Sequence, residues 1–302
     1  MGSRPNRFDA KAVARLERLP LRARMIAQGA LKGLHRAKWH GSSIEFAQHK
    51  EYTPGDDVRH IDWKTYGRSG RYYVKQFEQE TQLLCYLVVD ATGSMEFVGG
   101  ATHAKLDYAA HLLASLAYVL STQQDAIGLL AFSEKDVDVC VPARSRPRHV
   151  HDLYGVLAEL CARGGRGESS PTAALERVAD LAKRRRALIV LASDMLTNDN
   201  TIIDRLRQLK AQSHDVVLFH TLAPHEIDFP YKGLTLFRSL EGSAELMANP
   251  DAVRRRYLRN LAEFLTRTKR ECLHHGVDYL LANTGATVEQ TLREFLISRM
   301  RP

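Results

Sequence analysis

The chain has 302 residues, of which 44% are hydrophobic and 26% charged, an ordinary balance for a soluble globular protein. No stretch approaches the roughly 18 consecutive apolar residues that a membrane-spanning helix needs, and the charged start (Arg4, Arg7, Asp9, Lys11) lacks the apolar core of a secretory signal, so cytoplasmic residence is expected. The formal charge of +8 is uneven: residues 1–40 hold ten Lys/Arg against Asp9 and Glu17, an excess equal to that of the whole chain.

Residues 9–35 carry a helical period (Val13, Leu16, Leu19, then Leu21, Met25, Ile26, Leu31, Leu34), and Pro20 should break it into two pieces. Such a basic arm could touch nucleic acid or an acidic partner, or simply cover the globular body with a solvated face. It lacks the interleaved aromatic residues that stack on single-stranded nucleic acid. Residues 39–80 change character, with alternation at Ile44/Phe46 and Tyr72/Val74/Phe77 around the turn Thr53-Pro54-Gly55-Asp56. Short strands about a tight turn are the expectation.

From residue 83 the pattern becomes regular. Continuous apolar runs at 83–89, 126–132, 187–192, 216–219 and 277–282 fit strands buried on both faces of a mostly parallel sheet. Helical periods separate most of them, at 104–120, 149–162, 171–183, 202–212, 251–272 and 288–300. Only Glu134-Lys135-Asp136 separates the run at 126–133 from that at 137–141, a hairpin length, so one edge strand should be antiparallel. The predicted fold is a doubly wound, Rossmann-like α/β domain over 81–302, preceded over 1–80 by the basic arm and a small α+β module. The widely spaced Cys85, Cys140, Cys161 and Cys272 offer no C-x-x-C pair and are read as buried, reduced thiols.

In an open α/β sheet, ligands bind beyond the carboxyl ends of the strands. The first run ends Asp90-Ala91-Thr92-Gly93-Ser94, one carboxylate and two hydroxyls at alternate positions, with Gly93 freeing the turn. The run at 187–192 ends in Ser193-Asp194, and the Gly- and Ser-rich stretch 164–172 precedes the next helix. Oxygen donors at three strand-to-helix junctions suit a hard divalent cation.

This set resembles the metal-ion-dependent adhesion site of von Willebrand factor A domains, whose first loop reads D-x-S-x-S. The resemblance implies that Asp90, Thr92 and Ser94 form that loop and that Asp194 is the third-loop aspartate. Ser169 falls where the family has threonine, with Thr172 as a substitute. It implies Mg²⁺, with Mn²⁺ or Ca²⁺ as alternatives, and an open position filled by a carboxylate from a protein partner, hence recognition rather than turnover.

Ahead of it stand Glu45-Phe46, the string Tyr52-Thr53-Pro54-Gly55-Asp56-Asp57-Val58-Arg59 and Ile61-Asp62-Trp63. Asp56, Asp57 and Asp62 can pair with Arg59 and Arg68, with Trp63 and Phe46 as apolar anchors of a charged corner. As Y-x-P-G-D-D-x-R-x-I-D-W, the string resembles the bacterial domain-of-unknown-function family number 58, over almost the whole chain. That resemblance implies partnership with a MoxR-type AAA+ ATPase, as an adaptor in chaperone-like assembly or maturation.

Asp90-Ala91-Thr92-Gly93-Ser94 also looks like the aspartyl-phosphate loop of haloacid-dehalogenase-like phosphatases, in which Asp90 would be the nucleophile. Those enzymes need a positioned lysine and a paired-carboxylate magnesium loop besides. No P-loop, H-E-x-x-H or dinucleotide glycine fingerprint is present, so no ATP hydrolysis by the chain is expected.

Overall fold

The computed structural model describes residues 10–32, 46–53, 63–77, 82–133, 137–167, 171–183, 185–197 and 201–300. Contacts divide the chain into two compact units, one of residues 1–36 with 83–302 and the other of residues 37–82. The expected boundary at residue 80 therefore cuts differently from the contacts, which group the N-terminal helix with the larger unit.

The larger unit is built on one sheet. Its strands are β3 (Leu84–Asp90), β4 (Ala126–Phe132), β5 (Val137–Arg144), β6 (Ala187–Ser193), β7 (Asp215–Leu222) and β10 (Asp278–Asn283), and they stand in the order β10-β7-β6-β3-β4-β5. All neighbours pair in parallel except β4 with β5. The doubly wound α/β sheet with an antiparallel edge strand is thus the one the apolar runs predicted. Every residue of β3, β4 and β6 is buried, because helices cover both faces.

Alternate residues of β3 enter two cores. Cys85, Leu87 and Val89 pack with α3 (Lys105–Thr122), α4 (Pro147–Arg163) and α9 (Val288–Met300). Leu84, Tyr86 and Val88 pack with α5 (Thr172–Ala182) and α6 (Ile202–Ala211). Cys272 of α8 (Pro250–His274) joins that second core.

The arm at the start is one helix, α1 (Ala10–Lys32), with Pro20 inside it. The expected break does not occur. Leu19, Ala23, Ala27 and Ala30 form a buried stripe at helical spacing, against α3, α4 and α9, and this packing offsets the hydrogen bond that proline removes. Cys140 also departs from expectation: it is exposed, because edge strand β5 has only one covered face, whereas Cys85 and Cys272 are buried and Cys161 is half-buried.

The smaller unit pairs β1 (Phe46–Glu51) antiparallel with β2 (Tyr73–Phe77) and places α2 (Trp63–Ser69) between them in the chain, a helix that alternation did not reveal. Tyr66 stacks on Tyr72 at 4.4 Å, while Trp63 is 64% exposed. Trp63 is therefore not the buried anchor expected of it, and the tyrosine stack beside it is itself partly exposed, with Tyr72 on the surface. The turn Pro54-Gly55-Asp56 and the residues to Asp62 lie outside the described residues.

Between β7 and α8 lie α7 (Pro224–Asp228) and a hairpin of β8 (Thr235–Arg238) with β9 (Glu245–Ala248), none of them predicted.

Candidate metal centre

The carboxyl ends of β3 and β6 are neighbours, and the polar side chains at both ends are buried. Asp90 is 4% exposed and Asp194 is 1% exposed. Asp90 Oδ1 accepts from the Thr92 amide at 3.0 Å and from Thr92 Oγ1 at 2.6 Å, and Asp90 Oδ2 accepts from Ser193 Oγ at 2.6 Å. Thr92 Oγ1 lies 3.1 Å from Ser94 Oγ. Burial, and then the charge of Asp194, push the Asp90 carboxyl up to about 7 against the pull of those hydrogen bonds.

After Asp90 the chain enters a short 3-10 helix, Gly93–Glu96. Gly93 does not have the left-handed backbone that would demand glycine. Its need is space, since a Cβ there would collide with the carbonyl of Leu240. Gly165 is needed for the same reason, against the carbonyl of Thr92. The Arg166 amide donates to Ala91 O, and the Gly93 amide to Gly167 O, each at 2.9 Å, so the two loops are laced together. Met195, directly after Asp194, does adopt a left-handed backbone (φ 57°), with its amide held by Ser193 Oγ at 3.0 Å.

Asp194 is already engaged on both oxygens. Its Oδ1 accepts from the Leu196 amide at 2.9 Å and its Oδ2 from Lys105 Nζ at 2.8 Å. Lys105, the first residue of α3, is fully buried and also reaches Glu226 Oε1 at 2.7 Å. Burial works against its ammonium, but Asp194 and Glu226 outweigh burial and hold Lys105 above the ordinary lysine value. Burial raises Glu226, with Lys105 opposing. Burial pushes His220 down to about 4, so it is neutral, and its Nε2 donates to the Asp194 carbonyl at 2.9 Å.

These donors suit a hard divalent cation in part. The oxygen separations of 2.6 and 3.1 Å along Asp90, Thr92 and Ser94 lie either side of the roughly 3.0 Å edge of a magnesium octahedron. Asp194 accepts one hydrogen bond on each oxygen, from an amide and from Lys105, so it keeps lone pairs for an ion but shares its charge with the lysine. Thr172 sits at the start of α5, with its hydroxyl 3.3 Å from Thr201 Oγ1. Ser169 lies outside the described residues. Among the described residues no group of three His, Cys, Asp or Glu could hold a metal; the candidate set instead relies on hydroxyls.

Sequence reading passed over Lys105, Ser193, Glu226 and His220. Ser193 stands beside Asp194 in the sequence, with nothing there to mark its bond to Asp90. Lys105 carried a signal, as a cation at the head of an otherwise apolar helix, next to a strand crest.

A mostly parallel sheet with helices on both faces, and with carboxylates and hydroxyls gathered at its crest, defines the open-sheet α/β class of proteins. Within it, the chain belongs to the family described as "Protein of unknown function DUF58", which matches residues 48–266. "Uncharacterized protein Rv1480" of Mycobacterium tuberculosis is 29% identical over 97% of this chain and 91% of its own length. Among solved structures, the conserved hypothetical protein BatB of Bacteroides thetaiotaomicron aligns with a TM-score of 0.48 at 14% identity, over 72% of this chain and 98% of its own. An aerotolerance-related membrane protein of Bacteroides fragilis aligns with a TM-score of 0.49 at 13% identity, over the same shares. Among the described residues no helix is long and apolar enough to cross a membrane.

Proposed function

We propose that the chain is a non-enzymatic, cytoplasmic adaptor whose Asp90 crest holds a divalent cation, Mg²⁺ first and Mn²⁺ or Ca²⁺ as alternatives, completed by a carboxylate from a protein partner. The observation that carries this reading is the position of Thr92 Oγ1, 2.6 Å from Asp90 Oδ1 and 3.1 Å from Ser94 Oγ, beside the crest that bears Asp194. Those three residues would hold the ion, and Asp194 would add charge from behind. Bound there, a cation supplies an electrophilic position for an incoming carboxylate. A MoxR-type AAA+ ATPase is the proposed partner, on the strength of the family resemblance.

Phosphatase chemistry fits the same residues poorly. A lysine does stand at the crest, but Lys105 Nζ is buried between Asp194 and Glu226. Nucleic-acid binding by a free basic arm fits poorly too, because one face of α1 is buried.

Purified MoxR-type ATPase should be retained by the immobilised chain in magnesium and lost in chelator or with Asp90→Ala. Equal retention by the wild type and Asp90→Ala would remove the crest from recognition.

A further inference from the structure

The tip of the β8–β9 hairpin rests on the Asp90 loop. The Ser94 amide donates to Glu241 Oε1 at 3.2 Å, across 147 residues of sequence. A second contact, independent of that side chain, brings the Leu240 carbonyl against Gly93, in the space a Cβ would need. The tip holds its own shape, since Ser239 Oγ accepts from the Glu241 and Gly242 amides at 3.2 and 3.1 Å. At the base, Phe237 stacks on Phe229 at 5.9 Å, and Phe229 on Tyr257 at 4.4 Å. Between base and tip the hairpin buries little: Leu236, Leu240, Leu246 and Met247 are all exposed. It is a strut pinned at two ends, and its tip carries a carboxylate.

We infer that Glu241 is an in-chain acidic ligand of the Asp90 crest, occupying the place a partner's carboxylate would take, so that a partner engages only when the hairpin tip lifts. This inference rests on the cation reading above and deepens it. A carboxylate accepts about four hydrogen bonds or metal contacts, so one amide leaves Glu241 with oxygen lone pairs to spare. Glu96, the other acidic side chain bonded to these loops, is turned to the Gly165 amide at 2.7 Å. Beside Asp90, Glu241 would give a divalent cation one further formal negative charge. With Glu241 withdrawn, one positive charge returns and attracts an outside carboxylate. Partner affinity is then reduced by the fraction of molecules in which the tip is down.

Mn²⁺ alone is the first probe, titrated into the full chain while water-proton relaxation reports its coordinated waters. Acetate is then added as the free carboxylate. Glu241→Gln should bind Mn²⁺ about tenfold more weakly, with one more coordinated water, and acetate should displace that water at lower concentration than in the wild type. Hydrogen exchange of the Ser94 amide, measured without metal, should also quicken in the variant. If Mn²⁺ binds the wild type and fails to bind Asp90→Ala, while Glu241→Gln matches the wild type in affinity and water count, the inference is wrong and the cation reading stands. No Mn²⁺ binding by the wild type removes both.

Discussion

Lys105 is the residue whose surroundings say most about the crest. An ammonium with no solvent contact is tolerable only with charge partners, and it has two carboxylates within 2.8 Å. Removing the cation strands those carboxylates against each other. Lys105→Met should therefore cost about 3–5 kcal/mol of stability, read as a lower urea midpoint with unchanged slope. A loss below about 1 kcal/mol would mean that Asp194 and Glu226 are better solvated than their burial indicates. Asp90, Thr92 and Ser94 were legible because the donors alternate within five residues at a strand end. Lys105, Glu226 and His220 were not, because their meeting with Asp194 is made by three different elements returning to one edge, and sequence spacing carries no trace of that.

Elements buried on all sides were the easiest to read. β3, β4 and β6 appear as unbroken apolar runs because neither face meets water. The β8–β9 hairpin escaped because its strands have four residues each, β8 alternates only between partial burial and exposure, and β9 is exposed almost throughout, so no apolar run marks them. Pro20 misled for a related reason: a local rule was outweighed by a stripe of contacts formed with distant helices. The junction of α3 and β4 gives a pH test. Asp125 accepts from the Leu83 amide at 3.0 Å, and burial pushes its carboxyl up to about 6. The folded state thus holds this proton over a window, from about 4 to about 6, in which the unfolded chain has released it. Stability contributed by Asp125 is present below that window and is lost as pH rises through it. Asp125→Asn, which keeps an oxygen acceptor, should flatten the fall in melting temperature between pH 4 and 6 relative to the wild type; an unchanged profile would place the titration elsewhere.

At the scale of the whole molecule, the N-terminal helix is a layer of the α/β unit and not an appendage. Ala27 is fully buried in that contact, whereas Arg24 on the same helix is exposed. Ala27→Glu should lower stability by several kcal/mol, about the cost of burying an unpaired charge, and Arg24→Glu should change it by about 0.5 kcal/mol or less. Equal effects in thermal unfolding would return α1 to the status of a free arm. The order β10-β7-β6-β3-β4-β5 also explains why a crest exists, since it sets Asp90 and Asp194 on adjacent strands that run the same way. Proposed cation binding depends on that adjacency, and calorimetric titration of Mg²⁺ into the full chain tests it most directly. One ion should bind the wild type, and saturation at a hundred times the dissociation constant should add about 2.7 kcal/mol of stability, while folded Asp90→Ala should give no binding heat. A wild type that takes up no Mg²⁺, or an Asp90→Ala variant that binds it equally well, would contradict the proposal.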